Sequence, residues 1–343
     1  MLFRLLGVML LALTAVDVFL TVLLPSARGV LSGALCRVLW RAASSLPGRL
    51  GLRARQASGP LSLVATIASW VLLLWVGYAL IYLPDLDALA YSSDVRFDGS
   101  RFVQALYFSG TALTTLGLGD IAAQNDGLRL AVVLQAASGL ALFTASLGYL
   151  PALYTVITEL RTSAEAISDL RATTPDRAAR LLSEDASMTL ESVRRDVIAA
   201  RQHLLRFPVL HYFHPPHGQS VLGVVEGATM LWVVARFGLS SEHHAGVGRQ
   251  AAALELALYR LVDDTARHVG DEAPDNGLGT AREQVERVRA AIRELPDWES
   301  STSEVDDDAL ADLARTNAVM ARYATMHGYA FPNANATREE EAR

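Results

Sequence analysis

The chain has 343 residues, 51% of them hydrophobic, a length that allows two modules. Its net charge of -6 argues against a nucleic-acid partner, and Cys36, the single cysteine, excludes an internal disulfide and a cysteine-based metal site. The 30 basic residues are all arginine, the usage expected of a GC-rich bacterial genome.

Apolar residues concentrate before Ile157, and most acidic residues follow it. Residues 1–25 predict a transmembrane helix, whose apolar run from Leu5 to Leu24 is broken only by Asp17. A cleaved signal peptide is the rival reading. Residues 26–59 predict an Arg-rich cytoplasmic loop with Arg28, Arg37, Arg41, Arg49, Arg53 and Arg55 and no acid. By contrast, the stretch from Pro84 to Arg101 carries Asp85, Asp87, Asp94 and Asp98. The positive-inside rule puts the first stretch in the cytoplasm and the second outside, so the first span is retained with the N-terminus outside. Arg4 then lies on the outer side, against the rule. Asp17 reads as a carboxylate paired with another helix or with the Arg-rich loop.

Residues 60–158 form the next block. Spans are predicted at 60–83 and 128–158, long enough for the ~20 residues a bilayer requires. Between them, residues 102–113 are apolar but too short to cross, which predicts a re-entrant helix. It is followed by Thr114-Thr115-Leu116-Gly117-Leu118-Gly119-Asp120. Glycines at alternate positions permit a backbone that residues with a Cβ resist. Such a backbone can direct successive carbonyls at a dehydrated cation.

This region resembles the pore of potassium channels, whose filter reads T-V-G-Y-G-D, and the resemblance extends from Pro60 to Thr158. It implies an all-α membrane protein: a pore-loop module of span, re-entrant pore helix, filter and span, preceded by one extra transmembrane helix and followed by an all-α cytoplasmic domain. It also implies a homotetramer in a bacterial plasma membrane, with K⁺ as permeant ion and no cofactor. The implied filter is Thr115, Leu116, Gly117, Leu118 and Gly119, supported by Tyr107, Phe108, Thr111, Thr114 and Asp120. Leu116 and Leu118 are expected to point away from the axis and pack on the preceding helix, near Tyr107 and Phe108. Leu118 replaces the family's usual Tyr, and Thr111 stands where several bacterial relatives carry an acid. On the third span, Gly139 matches the family's gating glycine, with packing as its other role. Pro151 can kink the same helix. Leu140, Phe143 and Leu147 follow at helical spacing and are expected to line a cavity.

Residues 159–343 show three-and-four apolar spacing over 190–207, 220–236, 250–269, 280–295 and 309–329, with Thr174-Pro175 as a helix start. Residues 221–237 contain Glu226 and read as a core helix rather than a fourth span. Residues 275–280 and 300–303 read as loops, and 337–343 as a frayed tail. His211, His214 and His217 are candidate metal ligands, but prolines lie among them and a structural role is favoured. Neither a dinucleotide-binding glycine turn nor a catalytic constellation is present, so no enzyme is predicted. An unidentified cytoplasmic ligand for this domain stays open. The alternatives to a K⁺ channel are a weakly selective cation channel and a membrane-anchored signalling or scaffold protein with a vestigial pore.

Overall fold

Apolar residues dominate from Leu5 onward, and the chain answers with α1 (Leu2–Val18), whose end widens into a π-helical turn at Phe19–Leu23. The computed structural model describes residues 1–24, 29–92, 100–238, 245–269, 277–295, 305–327 and 329. The segment expected to be an Arg-rich loop is instead mostly helical, with α2 at Val30–Ser44 and α3 at Gly48–Tyr82. Ser32, Cys36, Trp40 and Ala43 recur at helical spacing and give α2 a buried face. Asp17 explains where α2 begins. Its carboxylate accepts from the amides of Leu31 (2.8 Å) and Ser32 (3.2 Å), so it caps a helix that starts well after it in sequence. It also accepts from Trp70 Nε1 on α3 at 2.8 Å. A buried carboxylate with three donors is satisfied without an arginine.

α3 begins before the predicted span and carries Pro60 within it. It packs closely on α1: a Cβ on Gly7 would lie 2.5 Å from the Gly77 carbonyl. At the far end Arg4 pairs with Asp85. Past α3, a 3₁₀ stretch (Leu83–Ala88) leads to β1 (Leu89–Tyr91). Then come α4 (Arg101–Leu113), β2 (Ile121–Ala123) and α5 (Asp126–Asp169). The two strands pair antiparallel with Ala90 opposite Ala122, a small departure from an all-helical chain. α4 matches the predicted re-entrant helix within a residue, and the Ser100 hydroxyl caps it by accepting from Val103 N.

The described chain divides into two units. The first holds Met1–Thr155 together with Phe207–Phe213. Its core joins Trp70, Tyr78 and Tyr82 of α3 to Ala105, Phe108 and Leu113 of α4 and Leu142 of α5. The segment 207–213 is held there by three contacts. Ser58 Oγ donates to the Tyr212 carbonyl (3.0 Å), the Tyr212 ring lies 6.3 Å from Trp40, and Phe207 lies 5.6 Å from Tyr149.

The second unit holds Val156–Arg206 and the residues from His214 onward. The boundary falls inside α5, which Pro151 does not break. The unit contains α6 (Pro175–Arg206), α7 (Val221–Val233, extended by a π-turn to Gly238), α8 (Ala245–Val269), α9 (Gly277–Arg293) and α10 (Asp307–His327). The expected loop at 275–280 is already helical from Gly277, where α9 starts. Residues 300–303 and 337–343 lie outside the described residues. By length and composition four helical stretches could cross a membrane: Leu2–Leu23, Gly48–Ala88, Asp126–Asp169 and Val221–Gly238. The fourth is enclosed by its neighbours, with Leu222, Val224, Leu231 and Val233 fully buried, as a core helix requires.

Among the described residues, no group of three His, Cys, Asp or Glu side chains is arranged to hold a metal ion. His211 lies in the 3₁₀ turn of Pro208–Tyr212 and is buried. His214 stacks on Tyr329 with ring centroids 4.4 Å apart. The side chain of His217 lies outside the described residues. His327, fully buried, stacks on Tyr323 at 4.1 Å and lies 6.4 Å from His268.

Two predictions follow the burial pattern. Asp17→Ala leaves Trp70 Nε1 and two amides without their acceptor. It should lower the melting temperature of the detergent-solubilised protein, with a loss of about 1–3 kcal/mol; Asp17→Asn, which keeps one oxygen acceptor, should lose less. Burial, with His268 and His214 nearby, pushes His327 down to about 3 from its usual 6.5. The folded state therefore binds fewer protons than the unfolded state between those values. The resulting stability is present above pH 6.5 and is lost as pH falls through that window. Melting curves at pH 7.5 and 5.5 should differ less for His327→Phe than for the parent.

Candidate functional site

α4 ends where its backbone can no longer continue, and the next five residues alternate in hand. Thr115, Gly117 and Gly119 have φ of +55°, +52° and +78°, whereas Leu116 and Leu118 between them stay negative. A Cβ built on Gly117 or Gly119 would meet nothing within 4 Å. Backbone conformation, not lack of space, therefore demands glycine at both places. Thr115 adopts the same left-handed region despite its branched Cβ, a strained conformation that the surroundings must impose. Its Oγ1 donates to the Thr114 carbonyl at 2.7 Å.

The end of α4 supplies partners for the amides that leave the helix. The Thr111 carbonyl accepts from Leu116 N (2.9 Å) and Gly117 N (3.4 Å), and the Ala112 carbonyl accepts from Thr115 N (3.1 Å). Thr111 Oγ1 donates to the Phe108 carbonyl (2.9 Å), and Thr114 Oγ1 donates to the Gly110 carbonyl (2.8 Å). At the other end of the stretch, the Tyr107 hydroxyl donates to Asp120 Oδ2 at 2.6 Å, and Asp120 Oδ1 accepts from Ile121 N. A phenol thus braces Asp120 where an acid from Thr111's position is lacking. The Asp120 carbonyl accepts from Ser92 N at 2.9 Å, which ties the stretch to the strand pair.

The leucines correct the expectation from sequence. Leu116 and Leu118 are 62% and 59% exposed in the single chain rather than packed on α4. Phe108 is unable to receive them because it faces the other way, edge-on to Tyr82 at 5.0 Å. Tyr107 is engaged with Asp120. Leu140, Phe143 and Leu147 likewise lie exposed along α5. Gly139 sits against the end of α4, where a Cβ would fall 2.3 Å from the Leu113 carbonyl. That close approach requires glycine whether or not the helix bends there.

Behind α4 lies a set of polar residues that hydrophobic patterning does not single out. Gln135 of α5 is fully buried, and so are Ser109 of α4 and Tyr82 of α3. Gln135 Nε2 donates to the Ser109 carbonyl (2.8 Å) and hydroxyl (2.7 Å), and its Oε1 accepts from the Tyr82 hydroxyl (2.9 Å). Ser109 Oγ in turn donates to the Trp75 carbonyl (2.7 Å), while Trp75 Nε1 donates to the Leu106 carbonyl (2.7 Å). A polar residue amid the apolar run of a span is the one sequence signal that marks Gln135.

The profile of the family described as "Ion channel" matches residues 66–155. A Bacillus subtilis (strain 168) protein, "Uncharacterized membrane protein YdjJ", is 24% identical over 243 residues, covering 69% of this chain and 70% of its own length. No solved structure matches the chain. The matched segment contains α4, the alternating stretch and parts of the two long apolar helices that flank them. Residues 66–155 of this multi-pass membrane protein therefore match an ion-channel domain.

Proposed function

We propose that four copies assemble into a K⁺-selective pore in a bacterial plasma membrane, with Thr115–Gly119 as the filter. The observation that carries this is the alternating sign of φ over Thr115–Gly119. In an ordinary strand successive carbonyls point to opposite sides; alternation of left- and right-handed residues turns them to one side. Oxygen rings from four such segments replace the hydration shell of a cation. The Thr115 hydroxyl, donating to its own neighbour, keeps lone pairs for a further ring. The C-terminal end of α4 contributes partial negative charge on the approach.

The tetramer is argued from what one chain lacks. Each chain has a single filter segment, and a ring needs four. Leu116 and Leu118 stand uncovered in the single chain, so neighbouring copies are the surface that encloses them. The proposed topology keeps the N-terminus, Asp85 and Asp87 outside, in line with the Arg4–Asp85 pair, and the residues after the third span in the cytoplasm.

Gly117→Ala should abolish K⁺ flux into liposomes while insertion and assembly persist, because the added Cβ opposes the left-handed backbone and meets no neighbour. Flux equal to the parent's would remove residues 115–119 from the filter. Reversal potentials in mixed K⁺ and Na⁺ separate selective from weakly selective conduction. Leu118→Tyr, which restores the family's usual residue, should hold or sharpen selectivity. Native mass spectrometry should return a fourfold assembly; monomers alone, with no flux, would favour a signalling or scaffold role.

A further inference from the structure

We infer that Gln135 is a positioning residue for the filter, which it holds through Ser109 of the pore helix; this rests on the pore reading above. The hydrogen bonds behind α4 run in one direction. Tyr82 donates to Gln135, Gln135 donates to Ser109, and Ser109 donates to the Trp75 carbonyl. The series starts on α3, crosses α5 and α4, and returns to α3. A carbonyl can only accept, so the Ser109 carbonyl fixes which end of the Gln135 amide faces α4. Both hydrogens of Nε2 and the oxygen Oε1 are thereby occupied, in a place without solvent access. Bonds in such a series polarise one another, and removal of one member strands the rest.

Position explains why the series bears on the filter. Ser109 lies one turn before Leu113, at the end of α4 whose Thr111 and Ala112 carbonyls hold the amides of Leu116, Gly117 and Thr115. Gly139, one turn after Gln135, lets α5 approach that same end, against the Leu113 carbonyl. The filter's backbone partners therefore sit on a helix end that Gln135 fixes in rotation and depth. Gln135 touches no permeating ion, and its action is through α4.

The test uses the full chain with two substitutions. Gln135→Leu keeps the bulk and removes every hydrogen bond. Gln135→Glu keeps the shape, and its acid form can still donate to Ser109, whereas the carboxylate only accepts. Hydrogen exchange of peptides covering 106–120 reads positioning without reference to conduction. It should accelerate by about tenfold or more in Gln135→Leu, the scale set by stranding buried partners. K⁺ flux in liposomes should fall by a similar factor, while the fourfold assembly seen by native mass spectrometry is retained. In Gln135→Glu, flux should return toward the parent's as pH is lowered and fall as pH is raised, a profile that loss of packing alone would not produce. Parent-like exchange and flux in Gln135→Leu would overturn the inference, and so would a Gln135→Glu profile parallel to the parent's. If the parent itself fails to conduct, the pore reading falls, and the exchange data still decide whether Gln135 positions this segment.

Discussion

A backbone that leaves helical geometry at membrane depth finds no water to satisfy its amides and carbonyls, so the protein must provide every partner itself. On the proposed pore reading residues 114–120 come under that constraint, and much of the first unit answers to it. The amides of Thr115, Leu116 and Gly117 turn back onto carbonyls at the end of α4. The lower rim of the stretch is thus an extension of the helix, and Tyr107 and the strand pair secure its upper rim through Asp120. The apolar core of Trp70, Tyr82 and Phe108 then holds α4 in place from behind.

The same accounting governs the accessory parts. Asp17 is a charge within an apolar helix, and it persists because α2 begins beside it with amides that need an acceptor. Arg37, Arg41, Arg49 and Arg53 of α2 and early α3 stay exposed, and Arg55 is half-buried. In the second unit the buried polar groups include His327, kept neutral by burial and stacked on Tyr323, and Arg289, whose Nε donates to the Phe237 carbonyl. What the two units share is that buried polar groups are given partners inside the chain.

Much of the pore region is legible in the sequence because its physics is local. The length of residues 102–113 and the glycine spacing at 117 and 119 each reflect a constraint within a few residues, and α4 and the left-handed positions follow. The extended helical content of 26–59 is not legible, because the cap that starts α2 comes from Asp17 and its buried face depends on α3 and on Trp40 meeting Tyr212. The leucine orientation is misread for a related reason. Patterning assigns an apolar side chain to the nearest apolar surface, but Phe108 has already been taken by Tyr82. Gln135 escapes notice because its partners lie on two other helices. The stack of His214 on Tyr329 likewise joins residues far apart in sequence.

The pairing of α1 with α3 has a mechanical consequence. The two helices are joined near one end by Arg4 and by Asp85 of the 3₁₀ stretch after α3, at close range by Gly7 and Gly77, and further along by Asp17 and Trp70. Fastening at three levels leaves little freedom for sliding or rotation, since glycine contacts this close tolerate no change of register. α1, α2 and α3 thus make a stator. Along α5, by contrast, the face of Leu140, Phe143 and Leu147 is exposed in the single chain, while Leu142, Tyr149 and Leu153 are buried. In the proposed pore, α1, α2 and α3 are the frame, and the exposed face of α5 is the surface left to meet neighbouring copies.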